Sequence, residues 1–334
     1  MNKSMISANI DLKAEGWHAG DLRVRWSDNT VPLGYHPVPI ISIKNGPGPV
    51  ALLIAGTHGD EFEGPSALMR VIQDLDLSRL TGQIIVLPAL NAPAVQATTR
   101  VSPLDNINLN RAFPGDPSGS ITQQIAYYVE TELLPLADVG IDLHSGGKAS
   151  VFAPCTLATH TKDPTLFECN LALAEAFGLP LIWVLGGFND PRSLNSAAER
   201  AGVPMIATEL GGGGGVDSNI TTAAETGIHA ILQFSGILDG KPPETSAARK
   251  VELTGNEHSL FSIGEGVFDR MVAAGENIKA GQIAGRLHYV SEPERTSSLV
   301  VFGHGGFVLA HTNRGYVKRG DMLMLVAQDV TAID

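Results

Sequence analysis

A chain of 334 residues with 43% apolar and 17% charged side chains is too apolar for disorder and long enough for about two domains. Its 23 basic residues face 35 acidic ones, a formal net charge of −12, and no Lys/Arg cluster stands out. Neither nucleic acid nor an anionic membrane surface is therefore an expected partner.

Cys155 and Cys169 fit no metal or redox spacing, and two free thiols suit a reducing compartment. No apolar run is long enough to span a bilayer, and the first residues lack a signal-type apolar stretch. The expectation is a soluble cytoplasmic protein; a homo-oligomer is left open.

Residues 1–47 read as strands joined by turns. Residues 22–26 alternate, and 38–43 are rich in β-branched side chains closed by Asn45-Gly46. Pro39 inside that run predicts an edge strand. From Val50 the texture becomes strand, loop, helix, repeated. Buried-type strands are expected at 50–55, 83–87, 139–143, 181–185 and 204–208. Helices are expected at 66–75, from Ser120 with its Gln123 capping box, from Asp163-Pro164 to Gly178, at 193–201 and at 222–238. Such alternation predicts an α/β domain with a largely parallel sheet, and a site at the strand carboxyl ends. A Gly/Pro-rich linker follows Asp239, and residues 250–334 show short strands with glycine turns. Lys279-Ala280-Gly281-Gln282 and Lys318-Arg319-Gly320-Asp321 look like the same turn used twice. In turn pattern alone this part resembles a lipoyl-type sandwich, but the carrier lysine is absent.

Gly56-Thr57-His58-Gly59-Asp60-Glu61 follows a buried strand and precedes a helix. An imidazole and a carboxylate three apart can converge on one metal ion. The plainer reading is a loop histidine, with Glu61 favouring the positive end of a helix. Ile141-Asp142-Leu143-His144 ends another strand and offers a third ligand. Asp142 is either an acceptor behind that ligand or a buried, hydrogen-bonded acid. A His₂Glu set leaves one position open for water, as catalytic zinc sites do. Glu209 ends a further apolar strand and suits a general base beside such a water. The five glycines after Leu210 allow close backbone approach or positive φ, and no P-loop lysine follows them. Arg111 has a fork that matches a carboxylate, Asn110 is a neighbouring donor, and Arg100 could polarise a carbonyl. On spacing alone the plainer reading of each arginine is a solvated surface residue.

Four motifs thus follow in order: HGDE at 58–61, NLNR at 108–111, DLHSG at 142–146 and TELGGG at 208–213. Together they resemble the succinylglutamate desuccinylase/aspartoacylase family, a branch of the zinc carboxypeptidase-like fold, over roughly residues 45–240. The resemblance implies an α/β fold with a mixed sheet flanked by helices, then a smaller C-terminal all-β domain. The division expected is 1–47 as a β segment packed on the catalytic domain, 48–239 as that domain, and 250–334 as the β-sandwich-like one. It further implies one Zn²⁺ per chain on His58, Glu61 and His144, with Glu209 as base. Asn110 and Arg111 would hold a substrate carboxylate, and Arg100 would polarise the acyl carbonyl. Tyr289 is a candidate contribution from the β domain, against the plainer reading of a packed strand tyrosine. The activity implied is hydrolysis of a small N-acyl amino acid. The pattern looks most similar to the bacterial deacetylases of ectoine breakdown, which act on N-acetyl-L-2,4-diaminobutyrate. A zinc carboxypeptidase acting on short peptides and a non-catalytic metal-binding protein are the alternatives.

Overall fold

Two long strands open the fold. The computed structural model describes residues 3–29, 31–186, 189–255 and 259–331. A short strand β1 (Ser7–Ala8) pairs with β2 (Gly16–Trp26), which runs antiparallel to β3 (Gly34–Asn45) along its whole length. β3 also pairs on its other side, so it is not the edge strand that Pro39 predicted. The reason is local. Only residues 41–45 of β3 meet that second neighbour; Pro37 and Pro39 lie beyond its reach, where a missing N–H costs no ladder bond on that side.

The centre is built from β4 (Val50–Ala55), β5 (Gly82–Leu87), β6 (Val139–His144), β7 (Ser150–Phe152), β8 (Cys155–Thr159), β9 (Leu181–Leu185) and β10 (Met205–Glu209). Apart from β7, the order across the sheet is β3-β5-β4-β6-β10-β8-β9. β5, β4, β6 and β10 are parallel neighbours, whereas β8 is antiparallel to β10, so the sheet is mixed. These strands are apolar at nearly every position because both faces are covered. On one side Leu53, Ala55, Ile141 and Ile206 meet α1 (Glu63–Gln73), α4 (Pro164–Phe177) and α6 (Ser218–Phe234) through Leu68, Phe177 and Ile228. On the other, Leu52, Ile54 and Leu87 share a core with α3 (Ile121–Tyr128) and α5 (Leu194–Ala201) through Ile125 and Leu194, joined by Phe113 of the loop before α3. A shorter helix, α2 (Ala92–Ala97), follows β5.

After the linker the sheet does not stop. β11 (Arg249–Glu252) pairs parallel with β9 and antiparallel with β19 (Met322–Asp329). β19 then pairs with β17 (Gly306–Thr312), which also takes up β7 from the catalytic part. A second sheet of β13 (Gly266–Arg270), β15 (Ile283–His288), β16 (Ser298–Val301) and β18 (Tyr316–Val317) closes over it. Phe268, Leu287, Phe302, Met324 and Val326 fill the space between them. The two matching turns are the same structure twice: Gly281 and Gly320 sit at φ 81° and 88°. In each, the lysine N–H donates to the side chain three residues on, Gln282 Oε1 at 3.1 Å and Asp321 Oδ2 at 2.9 Å.

Candidate metal centre and substrate cavity

Three strands deliver the site. β4 runs into the His58 loop, β6 ends at His144 and β10 ends at Glu209, with His144 and Glu209 side by side in parallel register. The loop after β4 is pressed hard against α2. A Cβ on Gly59 would stand 2.0 Å from the Ala94 carbonyl carbon, so no other residue fits there. At the far side Gly212 takes φ 138°, and a Cβ on it would meet the Ser150 carbonyl at 2.3 Å. The glycine run is therefore a close backbone seam against the loop that follows His144.

His58, Glu61 and His144 are buried, and their ligand atoms all lie within 4.8 Å of one another. Glu61 stands between the rings: Oε1 is 2.7 Å from His58 Nδ1 and Oε2 is 2.9 Å from His144 Nδ1. The outer nitrogens are held elsewhere, His58 Nε2 by Asn108 Oδ1 at 3.0 Å and His144 Nε2 by Asp142 Oδ2 at 2.7 Å. Asp142 is thus the acceptor behind a ligand, in hydrogen bond also with Thr57 Oγ1 at 3.0 Å. Asn108 belongs to the NLNR motif, but its part in orienting His58 is made by a contact fifty residues away in sequence. Both rings therefore turn Nδ1 towards one point with acceptors fixed on their far sides.

This arrangement asks for positive charge at its centre. Burial pushes the His58 ring down, against the pull of Glu61, so that ring resists protonation. Burial also opposes charge on His144, but Asp142 and Glu61 outweigh it and raise that ring well above its usual range. Burial alone would raise Glu61; the two histidines reverse this and hold it far below the carboxylate range. Two imidazoles and an ionised carboxylate, all buried, are a donor set that fits a divalent metal of the zinc type. The fit rests on these residues and not on any bound ion.

Glu209 faces the same cavity. Burial, then the charge of Glu61, pushes its carboxyl up to about 8, and its Oε2 is buried without a hydrogen-bond partner. Arg100 reaches in from the α2 side and donates to Glu61 Oε1 at 3.2 Å. Asn110 Oδ1 accepts from the Leu194 N–H at 2.9 Å, which ties the motif to the start of α5. Arg111 Nε meets Asp190 Oδ2 at 3.0 Å and its Nη1 donates to the Asn110 carbonyl at 2.6 Å. Asp190 also takes a two-pronged bond from Arg192, whose pull lowers its carboxyl to about 2. The cavity measures about 150 Å³, with Leu157, Trp183, Leu185 and Ala207 as its apolar side and Ser193 and Asn195 opposite. Seven of the sequence-derived residues line it: His58, Glu61, Arg100, Asn110, Arg111, His144 and Glu209. Tyr289 does not; it packs in the C-terminal core with its hydroxyl 2.8 Å from Ser298 Oγ and Arg295 over its ring. Asp190, which carries no motif, is a charged lining residue that sequence reading passes over.

The succinylglutamate desuccinylase/aspartoacylase catalytic domain matches residues 47–235. The chain belongs to this family. Along its full length it is 33% identical to the N-alpha-acetyl-L-2,4-diaminobutyric acid deacetylase of Halomonas elongata, over 99% of this chain and 97% of that one. Its fold matches the product-bound ectoine utilization protein EutE (DoeB) of Ruegeria pomeroyi with a TM-score of 0.94 at 33% identity, covering 98% of this chain and 100% of that one. A succinylglutamate desuccinylase/aspartoacylase from Rhodobacter sphaeroides matches with a TM-score of 0.92 at 34% identity, over 98% and 100%. Both structural matches extend over 98% of the chain, so they take in the C-terminal β unit as well as the α/β sheet.

Proposed function

We propose that the protein hydrolyses the amide bond of a small N-acyl amino acid, with N-acetyl-L-2,4-diaminobutyrate as substrate and acetate and diaminobutyrate as products. The observation that carries this is the meeting of three buried ligand-type groups and the Glu209 carboxyl, whose buried Oε2 has no hydrogen-bond partner, in one small cavity. The deacetylase of Halomonas elongata, similar along the whole chain, supports the choice of substrate.

His58 and His144 through Nδ1, with Glu61, would hold the metal, and zinc is the ion their chemistry favours. Zinc bound there supplies Lewis acidity towards water and towards the amide carbonyl. Glu209 takes a proton from the attacking water and returns it to the leaving amine. Arg100 offers its guanidinium to the carbonyl oxygen as negative charge develops there. Arg111, its plane fixed by Asp190 and the Asn110 carbonyl, keeps the rest of its fork for the substrate carboxylate, with the Asn110 amide beside it. Residues 48–239 carry this chemistry, and residues 250–334 form the β domain that completes the sheet. The cytoplasm is the location we propose, since Cys155 and Cys169 suit a reducing compartment as thiols.

Metal analysis of the purified protein, paired with a panel of N-acetyl, N-succinyl and N-formyl amino acids, tests the reading. The expected result is a single zinc per chain and turnover of N-acetyl-L-2,4-diaminobutyrate. A zinc-loaded protein silent on every N-acyl amino acid but active on short peptides would overturn it.

A further inference from the structure

Thr98 is a β-branched residue at φ 53° and ψ 41°. Such residues rarely occupy the left-handed region unless something outside them holds them there. Thr98 ends α2 and stands two residues before Arg100. Lys148, in the loop after β6, grips it: Nζ donates to the Thr98 carbonyl at 2.6 Å and to Thr98 Oγ1 at 2.8 Å. That carbonyl lies at a helix C-terminus, where a cation is favoured. Lys148 is itself anchored on both sides. Its N–H donates to Asp60 Oδ2 at 2.9 Å, and its carbonyl accepts from Asn313 Nδ2 of the C-terminal part at 3.1 Å. The Gly59 N–H donates to the next carbonyl along, that of Thr99, at 3.0 Å.

Arg100 has little of its own to hold it. Its side chain is 49% exposed and reaches Glu61 by one bond of 3.2 Å. A guanidinium so exposed points into the cavity only if its backbone is aimed there.

We propose that Lys148 is a positioning residue: it holds the Thr98 turn so that Arg100 reaches over the cavity, and Asn313 ties that hold to the C-terminal β unit. The inference rests on the role given to Arg100 above.

Lys148→Met keeps the aliphatic stem and removes the ammonium. Its kcat is expected to fall about tenfold or more with KM within about twofold, the mark of a misplaced group rather than lost binding. Zinc content is expected to stay at the wild-type level, while amide hydrogen exchange over 98–100 speeds up in protein prepared without metal. Thr98→Gly, which adopts positive φ freely, is expected to restore most of the lost rate in the Lys148→Met background. With Arg100→Ala already present, Lys148→Met is expected to cost nothing further. A Lys148→Met loss that persists undiminished beside Arg100→Ala shows that the lysine does not act through Arg100, and overturns the inference. So do an unchanged kcat and exchange rate in Lys148→Met, provided Arg100→Ala alone is slow. A normal rate for Arg100→Ala alone instead overturns the reading beneath, and the inference with it.

Discussion

Asp142 and His144 lie two residues apart on one strand, and the carboxylate of the first accepts from the outer nitrogen of the second at 2.7 Å. Alternation along β6 puts both on the same face, so the strand itself aims the imidazole. The partner decides which nitrogen is free for a metal. Asp142→Ala is therefore expected to weaken zinc binding by about 10–100-fold, the usual cost of losing such a partner. Competition against a chelator reads this directly. A wild-type affinity would mean that His144 is oriented by packing alone.

Glu209 has a buried oxygen with no hydrogen-bond partner, so exchanging the carboxyl for an amide breaks no bond at that oxygen. Glu209→Gln is expected to fold, to keep its metal and to lose about 10²–10⁴ in kcat, the size of a general-base contribution. Zinc content and turnover are measured on the same preparation. Near-normal turnover would remove Glu209 from the chemistry.

The raised carboxyl also predicts a pH dependence. In metal-free protein Glu209 holds its proton up to about 8, whereas the unfolded chain releases it near the ordinary 4.5. Between those values the folded state binds the extra proton, so stability falls as pH rises, by up to ~1.4 kcal/mol per pH unit from this one group. Other groups titrate in the same range, so the quantity to follow is the difference between wild type and Glu209→Gln in urea unfolding. That difference is expected to move in favour of the variant from pH 5 to pH 8 and then to level off. A difference independent of pH would show that Glu209 is not raised.

Asp190 joins Arg111 to Arg192 across the cavity rim. Asp190→Ala frees the Arg111 guanidinium from the bond that sets its plane. KM is expected to rise about tenfold while kcat stays within about threefold, as for a loss of ground-state binding. A fall in kcat with KM unchanged would place Asp190 in the chemical step instead.

What could be read ahead was local. Of the capping box, the bond from the Ser120 N–H to Gln123 Oε1 forms at 3.0 Å, and Asp163, Pro164 and Gly178 bound α4 as read. His144 and Glu209 end β6 and β10, strands legible from their apolar runs. Short-range signals also explain the shifts: α6 starts at Ser218 and not near 222 because Asp217 caps it through the Asn219 and Ile220 N–H groups. What could not be read is made by distant contacts. Lys148 meets Thr98 fifty residues back, and Asp190 meets Arg111 from another loop. β7 is only three residues long, and Thr156 and Thr159 break the apolar run by which β8 would have been recognised. The parallel core read from the alternation is found in β5, β4, β6 and β10, and the antiparallel β8 makes the sheet mixed, as the family resemblance implied.

The pairing of β11 with β9 carries a consequence for any attempt to shorten the protein. β9 bears Trp183 and Leu185, which wall the cavity, and among the described residues its outer edge is paired by β11, the first strand after the linker. Cutting the chain near residue 240 would leave that edge as an open row of backbone donors and acceptors, the kind of template on which chains stack. The C-terminal unit is thus no removable cap. It is the seal on the sheet's sticky side, and a minimal catalytic fragment would need a substitute for β11 before it could stay dispersed in solution.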